Sequence, residues 1–253
     1  MSRKSSRQKK KIRAKMARPR PLSAPQNMRL QAAVQAHAAG DYGRAERGYR
    51  ALLREGARTP VLFGKLARIC DETGRGKEAA QLWKEALKLD PADPDALLGQ
   101  GRGLELAGDS GGAARCYRKI LSRHPQLVVP RYLLANLQKS LGELEQAREN
   151  YRFIHSRHPR YTQAHFSYSG VHRYRDSEDP HLIQMLDVYG KNGLPEEGRI
   201  QLAFALGKAF EDLQAYDEAF RYLREGNELR YRRYQYSIDG DRDMFENIMQ
   251  VFS

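Results

Sequence analysis

The chain has 253 residues, of which 40% are hydrophobic, and a formal net charge of +13. No apolar run is long enough to cross a bilayer, and the charged N-terminus lacks the apolar stretch of a secretory signal, so we expect neither a membrane span nor export. Cys70 and Cys116 match no metal or redox spacing and are expected to be buried free thiols. These features favour a cytoplasmic protein with a packed core.

Much of the positive charge lies at the start of the chain. Residues 1–20 hold ten Lys or Arg and no acidic residue, which leaves +3 for the rest. We expect residues 1–25 to be a disordered basic arm whose end is kept extended by Pro19, Pro21 and Pro25. Nucleic acid, the ribosome and an anionic membrane surface all fit a weak, nonspecific polyanion contact, and so does an arm with no dedicated partner. The candidate contact residues are Lys9, Lys10, Lys11, Arg13 and Lys15.

Beyond the arm, four columns of similar residues recur at a fixed spacing of 34. A period near 34 is typical of a helical repeat array, in which each unit packs only on its neighbours. The pattern predicts an all-α chain that holds a partner rather than transforms a substrate. The columns are Gly40, Gly74, Gly108 and Gly142; Ala45, Ala79, Ala113 and Ala147; Tyr49, Trp83, Tyr117 and Tyr151; and Leu52, Ala86, Ile120 and Ile154.

The second unit shows how one repeat is built. The spacing of apolar residues predicts a first helix over Pro60–Thr73, a turn at Gly74, and a second helix that Pro91 terminates. Trp83 is expected to fill the space between units, while small residues let the two helices approach closely. The predicted small pairs are Ala33/Ala45, Ala67/Ala79, Gly101/Ala113 and Ala135/Ala147.

These small, aromatic and proline positions resemble the tetratricopeptide repeat (TPR) family. The resemblance covers residues 26–161 as four regular units and implies a right-handed all-α solenoid of helix–turn–helix hairpins. Residues 162–235 read as degenerate fifth and sixth units with an insertion, beginning with a helix over Thr162–Tyr174 and a short helix near 181–190. Residues 236–253 read as a final apolar helix that either caps the array or links it to further chain.

The irregular fifth repeat and the segment after it are together similar to bacterial TPR sulfotransferases, in which such an array precedes a catalytic domain. The phosphosulfate-binding loop of that domain is missing from this sequence. The nearest glycine clusters, Gly74–Gly76 and Gly108–Gly112, are turns between helices. We therefore expect no enzyme activity and no cofactor in this chain as it stands.

Binding residues follow from the TPR resemblance, since that family lines its concave surface with the first helix of each unit. Positions 2, 5, 9, 12 and 13 of that helix supply the lining. Basic and aromatic side chains at these positions suit an extended peptide with carboxylates and an apolar anchor. The candidate groove residues are Arg68, Arg102, Tyr132, Asn136, Lys139, Phe166, Arg173 and Tyr174.

Two histidine spacings are compatible with metal ligands, because His155 and His158 are three residues apart and His165 and His172 are seven apart. His158 repeats His124 in the motif Ser-Arg-His-Pro, so these two are expected to serve as helix ends. We expect no metal site.

The sequence thus favours a non-catalytic scaffold that grips a protein or peptide, and the basic groove suggests an acidic one. The alternative is the substrate-presenting repeat portion of a TPR sulfotransferase whose catalytic domain is missing or separate. A weaker alternative is a scaffold tethered to nucleic acid or ribosomes by the basic arm.

Overall fold

The computed structural model describes residues 22–234, 242, 245 and 247–249, and the described part of the chain is helical without strands. The basic arm, with Lys9, Lys10, Lys11, Arg13 and Lys15, lies outside the described residues. The helices are α1 (Ala24–Ala38), α2 (Tyr42–Arg54), α3 (Pro60–Glu72), α4 (Gly76–Leu89), α5 (Pro94–Leu106), α6 (Ser110–Arg123), α7 (Val128–Ser140), α8 (Leu144–Arg157), α9 (Thr162–Ser169), α10 (Pro180–Gly190), α11 (Glu196–Asp212) and α12 (Tyr216–Tyr234).

Each regular hairpin turns at a glycine of the 34-residue column. Gly40, Gly74, Gly108 and Gly142 have φ between 75° and 80°, a region in which a side chain is strained. The amide after each glycine donates to a carbonyl five residues back, as Asp41 does to Ala36 at 2.9 Å. This bond closes the end of the first helix and sets the direction of the second.

The predicted core columns are confirmed. The alanine column is 0% exposed throughout, and the aromatic column is at most 3% exposed. The small pairs are buried as well, and Gly101 packs against the ring of Tyr117. Both cysteines are free and buried.

Helix ends depend on local signals that the sequence carries. Ser23 caps α1 and exchanges hydrogen bonds with Gln26. The predicted arm boundary at residue 25 needs a correction, because Pro25 lies in the first turn of α1, where its missing amide is not needed. His124 and His158 are the C-terminal caps of α6 and α8, which confirms the predicted helix-end role.

The predicted helix over Thr162–Tyr174 was too long, since α9 ends at Ser169. Tertiary contacts hold the following segment in another conformation. The backbone amide of Tyr174 donates to Asp212 Oδ2 at 3.0 Å, and Lys208 Nζ donates to the carbonyl of His172 at 2.6 Å. These bonds to α11 replace the helical hydrogen bonds that residues 170–174 would otherwise make.

The short helix predicted near 181–190 is present as α10, and the degenerate unit is present as α11 and α12. Gly207 of α11 faces Leu223 so closely that a Cβ would lie 2.7 Å from the leucine side chain. The turn between these helices has Gln214 where the regular repeats have glycine, at φ 60°. Phe245, Ile248 and Met249 of the final segment are 46% to 72% exposed. Most of the predicted cap or linker over residues 236–253 lies outside the described residues.

The chain divides into two compact units, Met1–Pro130 and Arg131–Ser253. The first has its apolar cores around Tyr49 and Trp83, and the second has cores around Tyr151 and around Leu206. Among the described helices, none has both the length and the apolar character needed to span a membrane.

Candidate functional site

The first-helix face is the surface that positions 2, 5, 9, 12 and 13 of the first helix of each hairpin present. In the first compact unit it carries Arg68 on α3 and Arg102 on α5, both exposed. Arg68 makes a 3.7 Å ion pair with Asp95, whose side chain is 71% exposed. Such a solvated pair contributes little and leaves the guanidinium accessible to another carboxylate.

A small pocket lies beside Arg68 on this face. It has a volume of about 100 Å³ and is lined by Val61, Gly64 and Lys65, with the edge of Trp83 below. Trp83 is held in place because its Nε1 donates to Asp71 Oδ2 at 2.9 Å. The pocket places an apolar wall next to the cationic side chains of Lys65 and Arg68 and the carboxylates of Asp93 and Asp95.

In the second compact unit the predicted groove residues differ in accessibility. Lys139 on α7 is exposed, whereas Tyr132 and Asn136 are half-buried and already bonded. The hydroxyl of Tyr132 lies 3.0 Å from Ser167 Oγ, and the hydroxyl of Tyr151 donates to Asn136 Oδ1 at 2.7 Å. Tyr132 and Asn136 thus have structural partners, while Lys139 presents its charge to solvent.

Two further predicted groove residues lie outside a helix, because α9 ends at Ser169. Arg173 and Tyr174 were assigned to positions 12 and 13 of a first helix, but both follow α9 in a loop. Arg173 is exposed, whereas Tyr174 is 1% exposed and belongs to the core. Tyr174 therefore lines no open groove, while Phe166, which is 46% exposed, remains accessible on α9.

The same loop and helix α10 complete a buried cluster of histidines. His155 of α8, His165 of α9 and His181 of α10 are at most 6% exposed, and one ring nitrogen of each lies within 4.8 Å of the others. His165 Nδ1 is 2.9 Å from His181 Nε2. The three imidazoles come from three successive helices of one compact unit.

Each of these imidazoles also bonds an oxygen on its other side. His155 Nδ1 lies 2.8 Å from Gln184 Oε1, and His165 Nε2 lies 2.8 Å from the carbonyl of Pro159. The hydroxyl of Tyr174 lies 2.7 Å from His181 Nδ1. Both Gln184 Oε1 and the Pro159 carbonyl are acceptors only, so the facing nitrogens of His155 and His165 carry the protons.

Burial keeps the three histidines neutral. Loss of solvation lowers the pKa of His155 to about 4 and the pKa of His165 to about 4. The pKa of His181 is lowered too, first by burial and then by the neighbouring histidines. At neutral pH the rings are therefore uncharged, and His155 Nε2 and His165 Nδ1 carry lone pairs.

A cleft of about 540 Å³ reaches this cluster. His155, His181 and Gln184 line it, together with Arg152 and the pair formed by His172 and Asp179. His172 Nε2 lies 2.7 Å from Asp179 Oδ2, and the other carboxylate oxygen of Asp179 accepts the amide of His181 at the start of α10. The cleft thus combines imidazoles, a carboxylate and a guanidinium.

The helical hairpins of this chain are similar to those of several solved structures. The chain is similar to YrrB, a TPR protein with an unusual peptide-binding site, at 15% identity and a TM-score of 0.56, over 72% of this chain and 91% of YrrB. The fold is that of the tetratricopeptide repeat. The chain is also similar to MamA at 17% identity and a TM-score of 0.51, over 84% of this chain and 95% of MamA.

A second MamA structure, from Desulfovibrio magneticus RS-1, is similar at 15% identity and a TM-score of 0.54, over 86% of this chain and all 100% of that one. At these identities the likeness concerns the fold alone. No protein-family model matches the chain, and no curated protein sequence matches it.

Sequence spacing alone pairs His155 with His158 and His165 with His172, and the repeat comparison matches His158 with His124 as helix ends. Neither comparison brings His155, His165 and His181 together. The cluster instead needs His181, which lies in the helix α10 that interrupts the TPR register. The one available signal was a histidine directly after Asp179-Pro180, at the start of a helix.

Proposed function

We propose that the tetratricopeptide repeats bind an acidic, extended segment of a partner protein along the first-helix face. The observation that carries this proposal is the pair Arg68 and Arg102. They occupy equivalent positions of α3 and α5, both are exposed, and the ion pair between Arg68 and Asp95 is long and solvated. A partner carboxylate can form charge-assisted hydrogen bonds with either guanidinium.

The small pocket beside Arg68 favours a peptide ligand over an anion that is bound through charge alone. Its volume of about 100 Å³ suits one small apolar side chain against Val61 and Trp83. An apolar anchor next to a charge contact fixes the register of an extended ligand. Leu106, which is 90% exposed at the end of α5, adds apolar surface near Arg102 along the same helix.

The second compact unit offers the same two kinds of contact. Lys139 supplies an exposed cation and Phe166 an exposed aromatic ring. These residues form a separate test of the proposal, because they can be changed without touching the first unit.

The test uses an array of short peptides in which glutamates flank one leucine, with glutamine-for-glutamate versions as the matched ligands. Wild-type protein is expected to prefer the acidic peptides, and the double variant Arg68→Glu/Arg102→Glu to lose about tenfold or more in affinity. Arg118→Glu, on the exposed surface of the second helix α6, is the control and should bind like wild type. Equal binding by the double variant would refute the role of this face.

The sulfotransferase alternative and the polyanion contact of the arm stay predictions from the sequence. Deleting residues 1–20 separates the arm from the repeats. If the repeats carry the binding, this deletion leaves peptide binding intact and abolishes only retention of nucleic acid in a gel-shift assay.

A further inference from the structure

We infer that His155, His165 and His181 form a binding site for one divalent transition-metal ion of the zinc class. The inference is independent of peptide binding, since all three residues belong to the second compact unit and none is exposed. Imidazole nitrogen is a preferred ligand of Zn²⁺, Co²⁺, Ni²⁺ and Cu²⁺. Three histidines with a fourth open position are an established zinc arrangement in proteins.

The unpartnered nitrogen of His155 is the first argument. Its Nε2 is buried, and among the described residues it has no hydrogen-bond partner. Because Gln184 Oε1 fixes the proton on Nδ1, Nε2 carries a lone pair. A buried lone pair without a donor is costly, and a metal ion would satisfy it.

The outer hydrogen bonds are the second argument. Histidines that bind metals donate their other ring N–H to an oxygen, which fixes the tautomer and raises the basicity of the ligand. His155 and His165 do so through Gln184 and Pro159. His181 meets the same condition when its Nδ1 donates to the hydroxyl oxygen of Tyr174, 2.7 Å away.

Without a metal, the same atoms form a simple hydrogen-bonded chain. Tyr174 donates to His181 Nδ1, and His181 Nε2–H then donates to His165 Nδ1 at 2.9 Å. Metal binding moves the His181 proton from Nε2 to Nδ1 and turns the Tyr174 hydroxyl into an acceptor. The histidines then bind as neutral ligands without a net loss of protons.

The distances agree with this assignment. Nitrogens around a tetrahedral zinc are about 3.3 Å apart at Zn–N distances of about 2.0–2.1 Å. On metal binding, the 2.9 Å distance between His165 Nδ1 and His181 Nε2 increases slightly. Rotation of the imidazole rings brings the three ligand nitrogens, which lie within 4.8 Å of one another, to the required spacing. The cleft provides a path for entry of the ion, and its wall carries both the carboxylate of Asp179 and the guanidinium of Arg152.

The experiment uses the full-length, tag-free chain. After dialysis against Zn²⁺, elemental analysis is expected to give one ion per chain, and Co²⁺ is expected to give the visible absorption of a tetrahedral site. His155→Leu should abolish both signals. His124→Leu and His158→Leu, which change exposed helix-end histidines, should retain them.

A second variant separates an effect on metal binding from an effect on folding. Tyr174→Phe keeps the ring in the core and removes only the hydroxyl that orients His181, so affinity should fall about 10-fold to 100-fold while circular dichroism is unchanged. The inference is overturned if wild-type protein binds no Zn²⁺ or Co²⁺ stoichiometrically. It is equally overturned if folded His155→Leu binds as tightly as wild type.

Discussion

The hydroxyl of Tyr174 lies 2.7 Å from Nδ1 of His181, and both side chains are at most 5% exposed. This bond joins the loop after α9 to the inserted helix α10. It therefore links the two elements at which the regular repeat is interrupted.

Tyr174→Phe should lower the free energy of unfolding by about 1–3 kcal/mol in the absence of metal, because it leaves the buried His181 Nδ1 without its partner. Urea unfolding followed by circular dichroism measures the change. Tyr216→Phe removes a hydroxyl from a ring that is 64% exposed and is the control, with an expected change within about 0.5 kcal/mol. Equal stability of the Tyr174 variant and wild type would mean that the bond contributes nothing.

Gly99→Ala should destabilise the protein although alanine favours helices. A Cβ at Gly99 would lie 2.2 Å from Trp83 Cε2. We expect a net loss of about 1–2 kcal/mol, since overpacking outweighs the gain in helix propensity. Chemical denaturation gives the value.

Gly103→Ala is the matched control for this variant, because both glycines lie in α5. A Cβ at Gly103 meets no atom within 4 Å. It should therefore stabilise the protein by about 0.5–1 kcal/mol. A destabilised Gly103 variant would show that the helix, rather than the contact with Trp83, resists substitution.

Gln214→Gly should stabilise the second compact unit by about 0.5–1 kcal/mol. Gln214 has φ 60° at the turn between α11 and α12, where the regular repeats have glycine. The left-handed conformation is strained for a residue with a Cβ and free for glycine. A thermal or urea melt tests this, and Gln214→Ala, which keeps the Cβ, should leave stability nearly unchanged.

Glu46 should make stability depend on acid pH. Its carboxylate accepts two hydrogen bonds from Arg75, at 2.8 and 2.7 Å, and one from Arg50 at 2.8 Å. The hydrogen bonds from Arg75, opposed by partial burial and aided by Arg50, lower the pKa of Glu46 from 4.5 to about 2. Its stabilising effect is therefore complete above about pH 5 and is lost as the pH falls through 2.

Glu46→Gln should lower the free energy of unfolding by about 1–2 kcal/mol at pH 7, after allowance for solvent screening. The difference from wild type should shrink between pH 5 and pH 2. Unfolding at several pH values measures it, with the exposed Glu149→Gln as control. A difference that stays constant with pH would contradict the assignment to this carboxylate.

The sequence alone determined the repeated part of this protein. Glycines that need positive φ, alanines that allow close packing and aromatic residues that fill gaps act over one hairpin or between adjacent hairpins. Their fixed spacing of 34 therefore predicted the hairpins, their core and their turns. The TPR resemblance placed Arg68, Arg102 and Lys139 on the first-helix face, and all three are exposed.

Only the tertiary structure decided what happens where the register ends. Helix α9 stops at Ser169 because Asp212 and Lys208 of a distant helix bond the backbone that follows. That conformation buries Tyr174, which the sequence had placed in an open groove. It also brings His181 to His165 across 16 residues. Such contacts depend on the path of the whole segment, and no local periodicity encodes them.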